Sequence, residues 1–345
     1  MRTCIQVGAD GDWQETVTYV TEAERLGVDI CWVAEAWGSD AVTPLSYLAA
    51  KTETILLGAG IFQVGARSAT MTAMTSMALQ KVSDGRFLLG LGASGPQIIE
   101  GMHGVPFANP KSRLIDVLDV FDLAAAGEKI MIDSPTLQLP LPGGQGKAMR
   151  LSLRPPEIPI PVYIASMSPA MLELTGVRAD GWMGTSFIPE GAEAAYFRHL
   201  RRGAASASRS LADIDLCQGA EVAFGNDLEA MAAARKPGLA FSLGGMGSVD
   251  TNFYNSAYGR QGYAGVAAEA QRLWVAGDRA AAADVIPDEM VLGTTLIGPA
   301  DHVTARLQAW KDAGIDSIRL YPAGDTVDER LDTLGRALDL VAGLA

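Results

Sequence analysis

The segment VAEAWGSD places Glu35, Trp37 and Asp40 together just past an apolar run. A carboxylate beside an indole in a partly dry pocket can serve as a general acid or base. A Glu that anchors a loop next to a core Trp accounts for the same residues. FLLGLGASGPQ, residues 87–97, carries Gly90-x-Gly92-x-x-Gly95 between an apparent strand and a short helix. The spacing matches the dinucleotide fingerprint, but Pro96 opens the helix and no strand ends in an acid about 20 residues later. What survives is a glycine-rich turn that brings backbone close to a flat or anionic ligand, with a tight structural turn as the alternative. LGAGIFQVGARS sets Gly60 before β-branched Ile61, with Gln63 following. Glycine there marks a bulge or a close approach to a ligand, or simply small residues filling an interior. IASMSPAML puts Ser166 and Ser168 ahead of a helix opening at Pro169. The N–H groups of 166–168 can hold an anion without any basic side chain, and an ordinary Ser-Pro cap explains them equally. GWMGTS adds Thr185, and EGMHGVPF adds His103, either a substrate-facing loop residue or part of a surface turn.

These groups need elements to hold them. Apolar runs alternate with amphipathic stretches from one end of the chain to the other, the signature of βαβ units and a parallel sheet. The candidate strands are Thr3–Val7, Ile30–Glu35, Ile55–Ile61, Phe87–Gly92, Val162–Ala165, Gly181–Gly184, Ile214–Ala223 and Ser317–Tyr321. The helical patterns are Trp13–Leu26, Pro44–Lys51, Ser68–Ser83, Lys111–Ala126, Pro169–Val177, Glu193–Ser206, Leu228–Ala240, Asp301–Ala313 and Val327–Ala342. Strands in this number, with helices between them, predict an α/β TIM (β/α)8 barrel, whose strand C-terminal edge is where chemistry is done. A doubly wound open sheet is the alternative. Two segments interrupt the rhythm. In 130–154 the turn cluster Pro140–Gly146 between two alternating runs predicts an inserted hairpin. The second, 236–292, is rich in Gly and aromatics and then helical, the kind of insertion that carries specificity. With no linker or repeat to divide it, the chain is expected to be one domain, residues 1–345, bearing both insertions.

Composition narrows the function classes. Of 345 residues, 48% are hydrophobic and only 19% charged, which excludes disorder. Apolar stretches such as 55–62 fall short of the roughly 18 residues a membrane span needs. The first residues, MRTCIQVGAD, read as a strand rather than a signal peptide, so a cytoplasmic location is expected. Forty acidic against 27 basic residues give a net charge of −13, without the basic footprint that nucleic acid requires. Cys4, Cys31 and Cys217 lie far apart in apolar runs and read as buried reduced thiols. His103, His199 and His302 are scattered, none at metal-ligand spacing, so no metal site is expected. The expected partner is a small-molecule substrate.

Taken in order, LGAGIFQVGARS, SDGRFLLGLGASGPQIIEGMHGVPF, PVYIASMSPAMLEL with ADGWMGTS, and GGMG followed by NFYN resemble the luciferase-like family. Within it, they resemble the deazaflavin-dependent (coenzyme F420) oxidoreductases related to methylenetetrahydromethanopterin reductase. The resemblance covers nearly the whole chain. It implies a TIM barrel, a homodimer, and a flavin-like ring bound at the C-terminal mouth. It further implies a cis peptide behind the ring at Gly60–Ile61, with Ser94, Gly95 and Ile98 lining the ring and Gln63 at its polar edge. The implied phosphate clamp is Ala165, Ser166, Met167 and Ser168, aided by Thr185. Met167 and Ser168 stand where Gly-Gly is commoner.

Glu35 occupies the strand-two position at which relatives carry an acid or a histidine, and Ala36 follows it. Luciferase-type monooxygenases tend to carry a histidine there, and sugar-phosphate-oxidising relatives an Asp-His pair with another Glu where this chain has Pro96. The function the resemblance implies is hydride transfer between coenzyme F420 and a small organic substrate. Glu35 would assist proton transfer or orient the substrate, Trp37 would form an apolar wall, and His103, Arg260 and residues 252–258 would line the pocket. An FMN-dependent luciferase-like monooxygenase is the alternative, and a barrel that binds a cofactor without catalysis is a second.

Overall fold

Apolar runs become strands and amphipathic runs become helices, several of which open where a short polar side chain takes up orphan N–H groups. Asp12 accepts hydrogen bonds from the Gln14 and Glu15 amides at 2.7 and 3.2 Å and starts Trp13–Arg25. Ser68 caps Ala69–Val82, and Thr326 with Glu329 forms a capping box for Val327–Ala342. The computed structural model describes residues 1–9 and 11–344. Its strands are β1 (Arg2–Val7), β2 (Ile30–Val33), β3 (Leu56–Ala59), β4 (Phe62–Gln63), β5 (Phe87–Gly92), β6 (Ile132–Asp133), β7 (Gln138–Leu139), β8 (Val162–Ala165), β9 (Gly181–Met183), β10 (Asp215–Phe224), β11 (Leu296–Gly298) and β12 (Ser317–Pro322). No helix among the described residues is long and apolar enough to cross a membrane.

Contacts cluster the chain into two compact units, Gln6–Ala165, and Met1–Ile5 with the chain from Ser166 onward. In the first, β2 pairs β3, β3 pairs β5 and β5 pairs β8, all parallel, with Trp32 opposite Gly58 and Leu89 opposite Val162. All six residues of β5 are buried, as expected of a parallel strand covered on both faces. The expected strand Ile55–Ile61 ends early at Ala59, and after Gly60 and Ile61 β4 resumes against β5, Phe62 opposite Leu91. The inserted hairpin is displaced from its expected turn: β6 and β7 are joined through Ser134–Leu137, where the Ser134 hydroxyl accepts from the Thr136 and Leu137 amides at 3.2 and 3.0 Å. Pro140, which has no N–H to donate, follows the hairpin instead of turning it.

In the second unit β10 is central. It pairs β9, β12 and β11, and β12 pairs β1, all parallel, with Gly219 and Cys4 each opposite Arg319. Sequence periodicity missed β11, a three-residue strand too short to show a pattern. The helix expected over Leu228–Ala240 is two, Leu228–Ala233 and Lys236–Gly244, because Pro237 cannot donate and so must sit in a first turn. The one expected over Glu193–Ser206 opens with a π-helical turn, Glu193–Phe197. The insertion 236–292 packs Leu243, Ala267, Ala270, Ile286 and Met290 into a buried cluster that also takes in Ile188, Ala223 and Ile297.

Candidate active site

Glu35 lies two residues past β2, with its side chain 8% exposed. Four donors meet its two oxygens. Arg67 gives Nη2 to Oε2 at 2.7 Å and Nε to Oε1 at 3.3 Å, the Ala41 amide reaches Oε2 at 3.1 Å, and the Gln63 amide reaches Oε1 at 3.4 Å. The Arg67 guanidinium also stacks 4.8 Å from the Phe62 ring centroid. The carboxylate thus ties the loop after β2 to β4, and any proton transfer through it must first open the Arg67 bridge. Arg67 stands in the quoted LGAGIFQVGARS motif, but nothing in its spacing marks it as the partner of a Glu 32 residues earlier. Asp40 caps the following helix through the Thr43 amide at 3.0 Å. Trp37 is 57% exposed, and His103 is exposed on a turn, so neither is buried with Glu35.

The glycine motif has a steric cause. The Gly60–Ile61 peptide is cis, as the resemblance implied, and the Gly60 amide donates to the Val33 carbonyl at 2.7 Å. The backbone and Ile61 then press onto β5. A Cβ on Gly90 would lie 1.9 Å from the Ala59 carbonyl oxygen, and one on Gly92 would lie 2.4 Å from Ile61 Cδ1. Gly95 differs, since a Cβ there meets nothing within 4 Å. Ser94 before it has φ +59, so the turn exits in the left-handed region, and Ile98, partly buried, sits in the short helix Pro96–Ile99. Gln63 is buried and gives Nε2 to the Ala36 carbonyl at 3.0 Å, leaving its Oε1 without a donor.

Ala165, the last residue of β8, pairs opposite Gly92. Ser166 begins the other unit, and its hydroxyl is turned inward to Thr175 Oγ1 at 2.8 Å while its carbonyl accepts from Trp182 Nε1 at 2.9 Å. Ser168 is the N-cap of Pro169–Arg178 without a side-chain cap bond. Between them the Met167 carbonyl accepts from Arg260 Nη2 at 2.5 Å. Arg260 is partly buried, and burial lowers its pKa, with Arg198 as a neighbouring like charge adding to the effect. Arg198 gives Nε to His199 Nε2 at 3.2 Å. The Thr185 and Ser186 carbonyls both accept from the Tyr196 hydroxyl, at 3.2 and 2.9 Å, and Gln261 Nε2 joins at Ser186 at 2.7 Å. Sequence reading named Arg260 only as a pocket wall and passed over Arg198.

A family model described as luciferase-like monooxygenase matches residues 2–317. A Mycobacterium tuberculosis protein named as a coenzyme F420-dependent oxidoreductase is 37% identical over 309 residues, 88% of this chain and 89% of that one. The fold superposes on the coenzyme F420-dependent tetrahydromethanopterin reductase of Methanopyrus kandleri with a TM-score of 0.80, at 21% identity and 97% coverage of both chains. It also matches an FMN-bound type II Baeyer-Villiger monooxygenase of Pseudomonas putida, with a TM-score of 0.71, 15% identity, and 100% and 99% coverage. The fold is therefore the TIM barrel predicted from the strand rhythm, and the chain belongs to the luciferase-like family as an oxidoreductase.

Proposed function

We propose that the chain is a coenzyme F420-dependent oxidoreductase that moves a hydride between the deazaflavin and a small organic substrate. The observation that carries this is the relative 37% identical over most of both chains, named for that cofactor. Glu35 supports it too, standing where luciferase-type monooxygenases tend to carry a histidine. The residues present fit a flavin-like group. Gln63 Oε1 is a buried acceptor without a donor, and Gly95 leaves open space. When bound, the deazaflavin supplies two-electron hydride chemistry at its central carbon.

The chain's own residues bind and orient. The Gly60–Ile61 bulge would back the ring, Gln63 would take its polar edge, and Ser94, Gly95 and Ile98 would line it. Ala165, the amides of 166–168 and Thr185 would hold the phosphate. Trp37 and His103 would wall the substrate, and Glu35, held by Arg67, would orient the loop that carries Trp37. An FMN-dependent monooxygenase is the second reading, favoured by the fold shared with an FMN-bound enzyme. Titrating the apoprotein with coenzyme F420 and with FMN separates the two. Tight F420 binding with weak FMN binding is expected, and the reverse preference would overturn the proposal. We also propose a cytoplasmic homodimer. The helix Ala69–Val82 exposes Met71 at 49% and Val82 at 58%, and light scattering of the eluted protein tests the dimer.

A further inference from the structure

The loop that leaves β9 is held by side chains from two π-helical turns of the second unit. Glu193–Phe197 carries Tyr196, and Gly259–Tyr263, within the insertion, carries Arg260 and Gln261. Such turns are rare and often mark functional sites. The Ser186 carbonyl accepts from the Tyr196 hydroxyl at 2.9 Å and from Gln261 Nε2 at 2.7 Å, which occupies both of its lone pairs. Tyr196 also reaches the Thr185 carbonyl at 3.2 Å. Gln261 Oε1 in turn accepts from the Ile188 amide at 2.8 Å, so one buried carboxamide spans the loop from Ser186 to Ile188. Ser186 has φ +56, a left-handed conformation that a non-glycine residue keeps only where its surroundings hold it. Just past the loop, a Cβ on Gly191 would lie 2.6 Å from the Gln261 Cβ. Arg260, the preceding residue of the same turn, gives Nη2 to the Met167 carbonyl, so this turn of the insertion holds the chain after β8 as well as after β9.

We infer that Gln261 is a positioning residue: with Tyr196 it latches the loop from Thr185 to Ile188, and through that latch the insertion sets the affinity of the site for its cofactor. This rests on the reading above that Thr185 belongs to the cofactor site. The physical reason is the planarity of the peptide group. A carbonyl and the N–H that follows it point to opposite sides, so holding the Thr185 and Ser186 carbonyls turns the Ser186 and Phe187 N–H groups away from Tyr196 and Gln261. Without these donors Ser186 relaxes out of the left-handed region, and Thr185 beside it loses its single orientation. A carboxamide suits the task because it donates and accepts at once. An apolar side chain of the same length does neither.

The test is fluorescence titration of the full chain with coenzyme F420, alongside residue-resolved hydrogen exchange of the unliganded protein. Gln261→Met keeps the length of the side chain and loses its hydrogen bonds. It should weaken F420 binding about tenfold, and speed exchange of the Ile188 amide by about tenfold or more before any cofactor is added. Tyr196→Phe keeps the ring and should weaken F420 by roughly threefold to tenfold. The double variant should fall short of the product of the two effects, because both donors serve one carbonyl. Ile286→Ala controls for stability alone: it deletes buried methyl groups of the insertion and no hydrogen bond to the loop, and the folded variant should bind F420 within about twofold of wild type. The inference is overturned by wild-type F420 affinity or wild-type Ile188 exchange in folded Gln261→Met, or by wild-type affinity in Tyr196→Phe should Gln261→Met fail to fold. An equal loss of affinity in Ile286→Ala overturns it too, because the effect is then one of stability. A wild type that prefers FMN refutes the F420 reading alone, and the same comparison made with FMN decides the latch. A wild type that binds neither cofactor overturns both.

Discussion

Two clusters of this chain treat their arginines in opposite ways. At Glu35 the charge is closed on itself: Arg67 bridges both carboxylate oxygens, two backbone amides complete them, and the pair is largely buried. At the Met167 turn the charge is left open, with Arg260 on the Met167 carbonyl and Arg198 on a His199 ring nitrogen, both neutral acceptors. A closed cluster is architecture, since its partners are spent on each other. An open one leaves its guanidinium charge without a counter-charge, at some cost to the free protein.

The largest effect that could break this contrast lies in the closed cluster. Replacing Arg67 by Ala leaves the Glu35 carboxylate buried without its counter-cation, on two backbone amides alone, which should cost about 3–5 kcal/mol in a urea melt. Replacing Arg198 by Ala should leave stability within about 0.5 kcal/mol of wild type or raise it slightly. Comparable losses at both sites would erase the distinction. Glu35→Gln sharpens it, because a positioned acid or base is worth ~10²–10⁴-fold in turnover. With its four donors in place, Glu35 is expected to show a lowered melting temperature and turnover per folded molecule within about threefold of wild type. A loss of two or more orders of magnitude at unchanged stability would make it the proton carrier.

The next effect is steric. Gly90→Ala drives a methyl toward the Ala59 carbonyl and should cost about 1–3 kcal/mol, whereas Gly95→Ala meets open space and should be nearly silent in the apoprotein. Reduced cofactor affinity in the folded Gly95→Ala protein would place the ring against that turn. Smaller still is Ser166→Ala. The hydroxyl faces Thr175, so its loss should cost about 1 kcal/mol of stability and leave cofactor affinity unchanged. Ser166→Asp should abolish phosphate-dependent affinity if the amides of 166–168 are the clamp.

The smallest effect is a pH dependence. Burial, then Arg198 and Arg260, lower the His199 pKa, while Glu173 approaches Nδ1 at 3.7 Å. The native state therefore resists protonation. The stability this group contributes is present above about pH 6.5 and is lost as pH falls below it. His199→Gln should flatten that limb of a Tm-against-pH curve.

All eight candidate strands of the sequence pattern are present in the structure, since buried parallel strands are short apolar runs that stand out against amphipathic helices. The Gly60–Ile61 cis peptide came from family resemblance, and no periodicity encodes it. What escaped reading depends on three-dimensional pairing. Arg67 meets Glu35 across 32 residues, and Arg260 meets Met167 across 93. Side-chain direction was equally hidden. No spacing gives the direction of the Ser166 hydroxyl, which turns to Thr175 of the helix that follows it. The sequence argued against a nucleotide motif in FLLGLGASGPQ but did not show why its glycines are needed, which is that Gly90 and Gly92 yield to the Ala59 carbonyl and to Ile61. Local breaks such as Pro237 were visible as residues and underweighted against a long helical pattern.

The three cysteines give this chain a built-in opening gauge. Cys4, Cys31 and Cys217 are free thiols with no exposed surface, and burial holds the Cys31 and Cys4 thiols up, away from the reactive thiolate. An alkylating reagent can therefore mark each one only in molecules that have transiently opened around it. Cys31 lies in the unit Gln6–Ala165, whereas Cys4 and Cys217 lie in the other, so the order of labelling reads the cooperativity of the whole chain. One shared rate for all three sites would mean a single cooperative fold. A faster rate at Cys31 alone, or at the Cys4 and Cys217 pair alone, would show which half lets go first and how much free energy that opening takes.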